Sequence, residues 1–146
     1  MAVLIADNDQ AVSGLLTEVL RQSGIAPEQA FDGEEARRRC AVGDLSVLVC
    51  DLDMPGATGL EVLESLRELE RPPEVVVISG YIDGAIQEQL ASMPFVREAL
   101  RKPFDLLVFA ATVRRLLGQA ERDGGADDRD GGADEGDAEL GGAQAC

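Results

Sequence analysis

Val47-Leu48-Val49-Cys50 is apolar without a break, and the run stops on Asp51, with Asp53-Met54-Pro55 close behind. A strand with no polar alternation needs cover on both faces, so it belongs in the middle of a parallel sheet. An ionisable side chain at the carboxyl end of such a strand stands where open α/β sheets bind ligands. Two other segments repeat the arrangement. Val3-Leu4-Ile5-Ala6 ends on Asp7-Asn8-Asp9, and Val75-Val76-Val77-Ile78 ends on Ser79-Gly80. Three apolar strands that each deliver an oxygen-bearing group at their exit describe an oxygen-rich site for a cation and a phosphate.

Helical spacing fills the intervals. Val12, Leu15, Leu16, Val19 and Leu20 make a stripe after Asp9, and Gly24 stops it. Residues 25–31 form a weak second strand, which Pro27 confines to the sheet edge or to a shorter segment. A short helix near 34–41 precedes the central strand at 46–50. Leu60, Leu63, Leu66 and Leu69 then carry a third helix, ended by Pro72-Pro73. The helix over 83–93 is poor, with Gly84 inside it and only Ile86, Leu90 and Met93 on its stripe, so it should be the least stable. A short strand over 98–101 leads to Lys102-Pro103-Phe104, and Leu106, Phe109, Ala110, Val113 and Leu117 carry a last helix. Five strand–helix alternations with short links specify an α/β domain, its parallel sheet doubly wound by helices on both faces.

Composition narrows the function. A chain of 146 residues is enough for one domain with a real core. Residues 119–146 hold nine acids against two arginines, −7 of the total net charge of −15. Such acidity argues against direct nucleic-acid binding, which needs a basic footprint. The chain has no histidine, which excludes histidine-based catalytic dyads, histidine-ligated metals and phosphohistidine on the chain itself. Cys40, Cys50 and Cys146 have no metal-type spacing and cannot form a closed disulfide framework. No signal peptide or membrane span is legible, so the expected location is the reducing cytoplasm, with no membrane insertion. Beyond Gly118 the chain is almost wholly Gly, Ala, Asp and Glu, which cannot repay the entropy of folding.

Four segments, Leu4-Ile5-Ala6-Asp7-Asn8-Asp9, Val49-Cys50-Asp51-Leu52-Asp53-Met54-Pro55, Ile78-Ser79-Gly80 and Lys102-Pro103-Phe104, stand in this order at these separations. Together they resemble the receiver domain of two-component response regulators, of the single-domain CheY-like type. The resemblance covers residues 2 to about 118. It gives an expected receiver domain over 1–118 and a disordered acidic tail over 119–146. It implies a flavodoxin-like (βα)5 sheet of strand order 2-1-3-4-5, the order of CheY itself, which brings Asp7, Asn8 and Asp51 into one pocket.

What the resemblance implies for the site is specific. Asp51 is the phosphoacceptor, attacking a phosphohistidine on a sensor histidine kinase or phosphotransfer protein. Asp7, Asn8, Asp51 and the backbone carbonyl of Asp53 hold Mg2+, with Asp9 a further candidate ligand. Lys102 pairs with a phosphoryl oxygen, the Ser79 hydroxyl donates to another, and Lys102-Pro103 matches a position where receivers carry a cis peptide. Two departures stand out. Asn8 replaces the second of the paired acids usual in receivers, which removes one charge from the pocket and predicts weaker Mg2+ binding. Ala99 stands three positions before the lysine, where an aromatic switch residue is common, and Tyr81 is the nearest substitute.

Other readings stay open at this stage. Val49-Cys50-Asp51-Leu52-Asp53 also resembles the Asp-x-Asp signature of haloacid-dehalogenase-type phosphatases, with Asp51 as nucleophile and Asp53 as general acid/base. That family needs further acids after its lysine, and none follows Lys102 on a strand exit. A receiver that never takes phosphate and serves as an interaction module is the third reading. The favoured one is a stand-alone, cytoplasmic switch rather than a dedicated enzyme. Its expected partners are a kinase and a downstream protein target, with a homodimer through residues 83–117 as a further association.

Overall fold

The computed structural model describes residues 2–54 and 56–125, with the backbone alone for 121–125. Each apolar run forms a strand and each periodic segment a helix. In chain order they are β1 (Ala2–Ala6), α1 (Gln10–Gln22), β2 (Glu28–Ala30), α2 (Gly33–Ala41), β3 (Leu45–Asp51), α3 (Gly59–Leu66), β4 (Glu74–Ser79), α4 (Gly84–Ala91), β5 (Val96–Arg101) and α5 (Leu106–Gly125). The five strands are parallel and lie in the order β2-β1-β3-β4-β5. The flavodoxin-like topology expected from the sequence is present in full.

The period-two alternation of the central strands sorts the core into two layers. Val3, Ile5, Val47, Val49, Val76 and Ile78 pack against Leu16, Leu20, Phe109, Val113 and Leu116 of α1 and α5. Leu4, Ala6, Leu48, Cys50, Val75 and Val77 face the opposite way, onto Ala36, Cys40, Val62, Leu63, Leu66 and Leu90 of α2, α3 and α4. Burial on both faces is the reason those strands carry no polar alternation. Cys50 acts as a small apolar residue, and burial pushes its thiol far above its ordinary range.

Three details differ from the sequence reading. On α1 the buried residues are Ser13, Leu16, Thr17 and Leu20, while Leu15 is 53% exposed. The stripe is rotated because the Ser13 hydroxyl accepts from Gln29 Nε2 of β2 at 2.8 Å, which lets a polar residue face inward. Helix α4 stops at Ala91, short of the expected 93, although Leu90 and Met93 are buried and Ile86 packs against that core as the stripe predicts. Helix α5 runs through residue 118 to Gly125, with Gln119 and Ala120 half-buried. A glycine inside a helix costs about 1 kcal/mol, and the helix-forming residues Gln119-Ala120-Glu121-Arg122 that follow outweigh it. Of the disordered tail expected over 119–146, residues 119–125 are helical and residues 126–146 lie outside the described residues.

Candidate functional site

Every chain crossover in this sheet begins at the carboxyl end of a strand, so the residues that follow the apolar runs collect along one edge. Ala6 is in register with Cys50, which sets Asp7 and Asp51 side by side at the exits of β1 and β3. The Asp7 N–H donates to the Ala30 carbonyl at 3.0 Å and anchors the β1 exit to β2. Asp7 Oδ1 accepts from the Asp9 N–H at 2.9 Å. Asp51 Oδ1 accepts from the Asp53 N–H at 3.0 Å, and its Oδ2 accepts from Lys102 Nζ at 3.2 Å. The same ammonium lies 3.5 Å from Asp7 Oδ2. Lys102 therefore bridges two buried carboxylates from across the sheet.

Burial is the dominant electrostatic influence on Asp51, which is 3% exposed. Desolvation pushes its carboxyl above the ordinary value; the Asp53 N–H and Lys102 oppose this, and the neighbouring Asp7 charge adds to it. For Lys102, desolvation works against the charged form, but Asp51 and Asp7 outweigh it and the ammonium is held above its ordinary value. At neutral pH the lysine is a fixed cation.

Asp7 Oδ2 is fully buried and accepts no hydrogen bond; the 3.5 Å approach of Lys102 is an ion pair only. A buried carboxylate oxygen with a free lone pair, beside a second carboxylate, suits a hard dication such as Mg2+, which takes carboxylate, amide, carbonyl and water oxygens. Among the described residues no three of His, Cys, Asp or Glu converge as a metal-binding group. The acids gathered around Lys102 are Asp7 and Asp51.

The remaining candidates lie around this centre. Asn8, Asp9 and Asp53 are exposed. Asp9 is the N-cap of α1, its Oδ1 accepting from the Ala11 and Val12 N–H groups at 3.0 and 3.2 Å. Asp53 contributes its N–H to Asp51. The Ser79 hydroxyl is buried but turned into its own loop, donating to the Tyr81 carbonyl at 2.9 Å and accepting from the Tyr81 N–H at 3.1 Å. The Lys102–Pro103 peptide is cis. Ala99 and Tyr81 are both exposed.

Two supports are absent from the sequence reading. A Cβ on Gly59 would lie 2.4 Å from the Asp51 carbonyl oxygen, so only glycine lets α3 start this close to the end of β3. Thr58 and Glu61 close a reciprocal capping box on that helix. The signal was legible as Thr-x-x-Glu ahead of an apolar run.

A match to the response regulator receiver domain family spans residues 3–114. Among curated proteins, the chain is 31% identical to the DNA-binding dual master transcriptional regulator RpaA of Synechocystis, over 82% of this chain and 50% of that protein. It is 32% identical to the transcriptional regulatory protein PrrA of Mycobacterium leprae, over 79% and 49%. The chain thus spans about half the length of the curated relatives it matches. Among solved structures, a Francisella response regulator receiver domain superposes with a TM-score of 0.74 at 28% identity, covering 81% of this chain and 97% of that one. The response regulator TrrA of Thermotoga maritima, solved with Mg2+ and BeF, gives 0.68 at 26% identity, covering 80% and 99%.

These relatives correct the expected partners, which included proteins alone and no nucleic acid. RpaA is a DNA-binding transcriptional regulator, and PrrA is a transcriptional regulatory protein. The acidic charge describes a chain that matches half of such proteins and carries no information about the other half. No helix among the described residues is long and apolar enough to cross a membrane. Fold, site and matched span agree: the chain belongs to the response regulator receiver domain family.

Proposed function

We propose that this receiver domain is a phosphorylation-dependent switch in which Asp51 accepts a phosphoryl group from a phosphohistidine on a sensor kinase. The observation that carries the reading is the Lys102 ammonium held between the buried Asp51 and Asp7 carboxylates, at 3.2 and 3.5 Å. An Asp51 carboxylate oxygen attacks phosphorus, the P–N bond to imidazole breaks, and an acyl phosphate forms. Phosphoryl transfer asks mainly for positioning and charge neutralisation.

This chain supplies both. The Asp53 N–H orients the nucleophile, and burial strips water from it. Lys102 stays protonated and moves its pairing from the Asp51 carboxylate to a phosphoryl oxygen as charge builds there. Asp7, Asn8, Asp51 and the Asp53 carbonyl would hold Mg2+, with Asp9 as a more distant candidate. When bound, Mg2+ neutralises phosphoryl oxygens and orients the incoming group. Ser79 stands ready to donate once its hydroxyl leaves Tyr81.

The reading places the domain in the cytoplasm of a two-component system, supported by Cys40 and Cys50, which are both buried and free. Mg2+-dependent binding of beryllium fluoride tests it, read by chemical-shift changes at Asp51, Ser79 and Lys102. Wild type is expected to respond and Asp51→Asn to stay silent; an equal response in both refutes the assignment.

A further inference from the structure

The turn between β4 and α4 carries a tie that the proposed reaction does not use. Arg101, the last residue of β5, donates from Nη2 to the Ile82 carbonyl at 3.1 Å. Arg101 is in register with Ser79, and the Lys102 N–H donates to the Ser79 carbonyl at 2.8 Å. The end of β5 therefore grips the turn at two points. Between them the Ser79 hydroxyl closes the turn on itself through both polar groups of Tyr81. Ile82 is buried, and Asp83 caps α4 through the Ile86 N–H at 2.8 Å.

If Ser79 is to donate to a phosphoryl oxygen, its proton must leave the Tyr81 carbonyl. The Tyr81 carbonyl then loses its partner and has to re-pair, and the Tyr81 N–H follows if the hydroxyl swings away. The next peptide along is the one that Arg101 holds. Ala99, on the same face of β5, is exposed and offers only a methyl group. The side-chain tie from β5 to the turn thus runs through Arg101.

Resting on the phosphoacceptor reading, we propose that Arg101 is a positioning residue, a latch. It holds the β4–α4 turn in its unphosphorylated form through the Ile82 carbonyl and releases it when Ser79 turns toward the phosphoryl group. Such a latch sets the balance between two arrangements of the turn, because its bond exists in one of them.

Arg101→Ala tests the latch against Arg97→Ala, which removes the same charge from the same strand face but breaks an ion pair with Glu74. Without ligand, amide exchange at Tyr81 is expected to quicken roughly fivefold in Arg101→Ala and to stay unchanged in Arg97→Ala. Affinity for beryllium fluoride with Mg2+ is expected to rise in Arg101→Ala by a similar factor over Arg97→Ala. The charge loss alone pushes affinity the other way, so a gain is diagnostic. Unchanged exchange at Tyr81 overturns the latch, and so does affinity no tighter than that of the control. A wild-type chain that ignores the probe refutes the phosphoacceptor reading instead, and the exchange comparison still decides the latch.

Discussion

Lys102 and Asp51, 51 positions apart in sequence, meet at 3.2 Å between Nζ and Oδ2. The contact exists only because β5 and β3 end at the same edge of one parallel sheet. It places a permanent cation against a carboxyl that burial pushes above its ordinary value. Asp7 shares the same ammonium. Two buried acids and one lysine leave a net negative pocket, which suits a dication; with a dication in place the pocket would be net positive, which suits a phosphoryl group.

Removing the Asp51 charge should stabilise the fold at neutral pH. Burial raises this carboxyl above its ordinary 3.8, so the folded chain binds the proton more tightly than the unfolded chain does. Stability from this group is therefore full below the unfolded value and falls as pH rises through the folded one. Asp51→Asn is expected to melt a few degrees above wild type at pH 7. The gap should close once pH drops below about 3.8. Melting curves at the two pH values check it, and a lower melting point for the variant at pH 7 counts against a strained carboxylate.

Lys102 runs in the other direction. Its folded value is raised from 10.5, so its contribution is present below that value and is lost as pH climbs through the folded one. Lys102→Met should abolish that alkaline step in the stability profile; an unchanged profile above pH 10 shows the step to lie elsewhere.

Asn8→Asp restores a second adjacent acid. A charge pair near 4 Å is worth about 1 kcal/mol in water and about 4 kcal/mol at an effective dielectric of 20. Asn8 is exposed, so the lower figure is the better guide, doubled for a dication. Mg2+ affinity is expected to tighten roughly thirtyfold, measured by calorimetry. No tightening means that position 8 does not face the ion.

The start of α3 should be intolerant where the sequence offers little warning. Gly59→Ala places a methyl 2.4 Å from the Asp51 carbonyl oxygen, and the backbone must move. A loss of about 1–3 kcal/mol is expected, with weakened beryllium fluoride binding. Thr58→Ala breaks only the cap, costs about 1 kcal/mol and should leave ligand binding intact. Denaturant titration of both variants separates the two; equal losses remove the case for a steric role of Gly59.

Most of the scaffold was legible because its signals are local. Uninterrupted apolar strands at 3–6, 47–50 and 75–78 can only be central, and the oxygen-bearing residue at each exit marks the functional edge. Asp7, Asp51 and Lys102 come together as those exits suggest. What periodicity does not encode lies in contacts across the sheet, at element ends and inside turns. Ser13 faces inward because Gln29 on β2 meets it. Asp9 caps a helix, a role its position before the α1 stripe already favoured. The orientation of Ser79 and the reach of Arg101 depend on a turn whose shape no periodicity encodes.

The most direct measurement is phosphoryl incorporation from a small acyl phosphate donor, such as acetyl phosphate, followed by intact mass. Wild type with Mg2+ should gain a single phosphoryl group, and neither Asp51→Asn nor wild type with the metal chelated should gain any. Labelling that persists in Asp51→Asn, or a wild-type chain that takes no label with Mg2+ present, would contradict Asp51 as the acceptor.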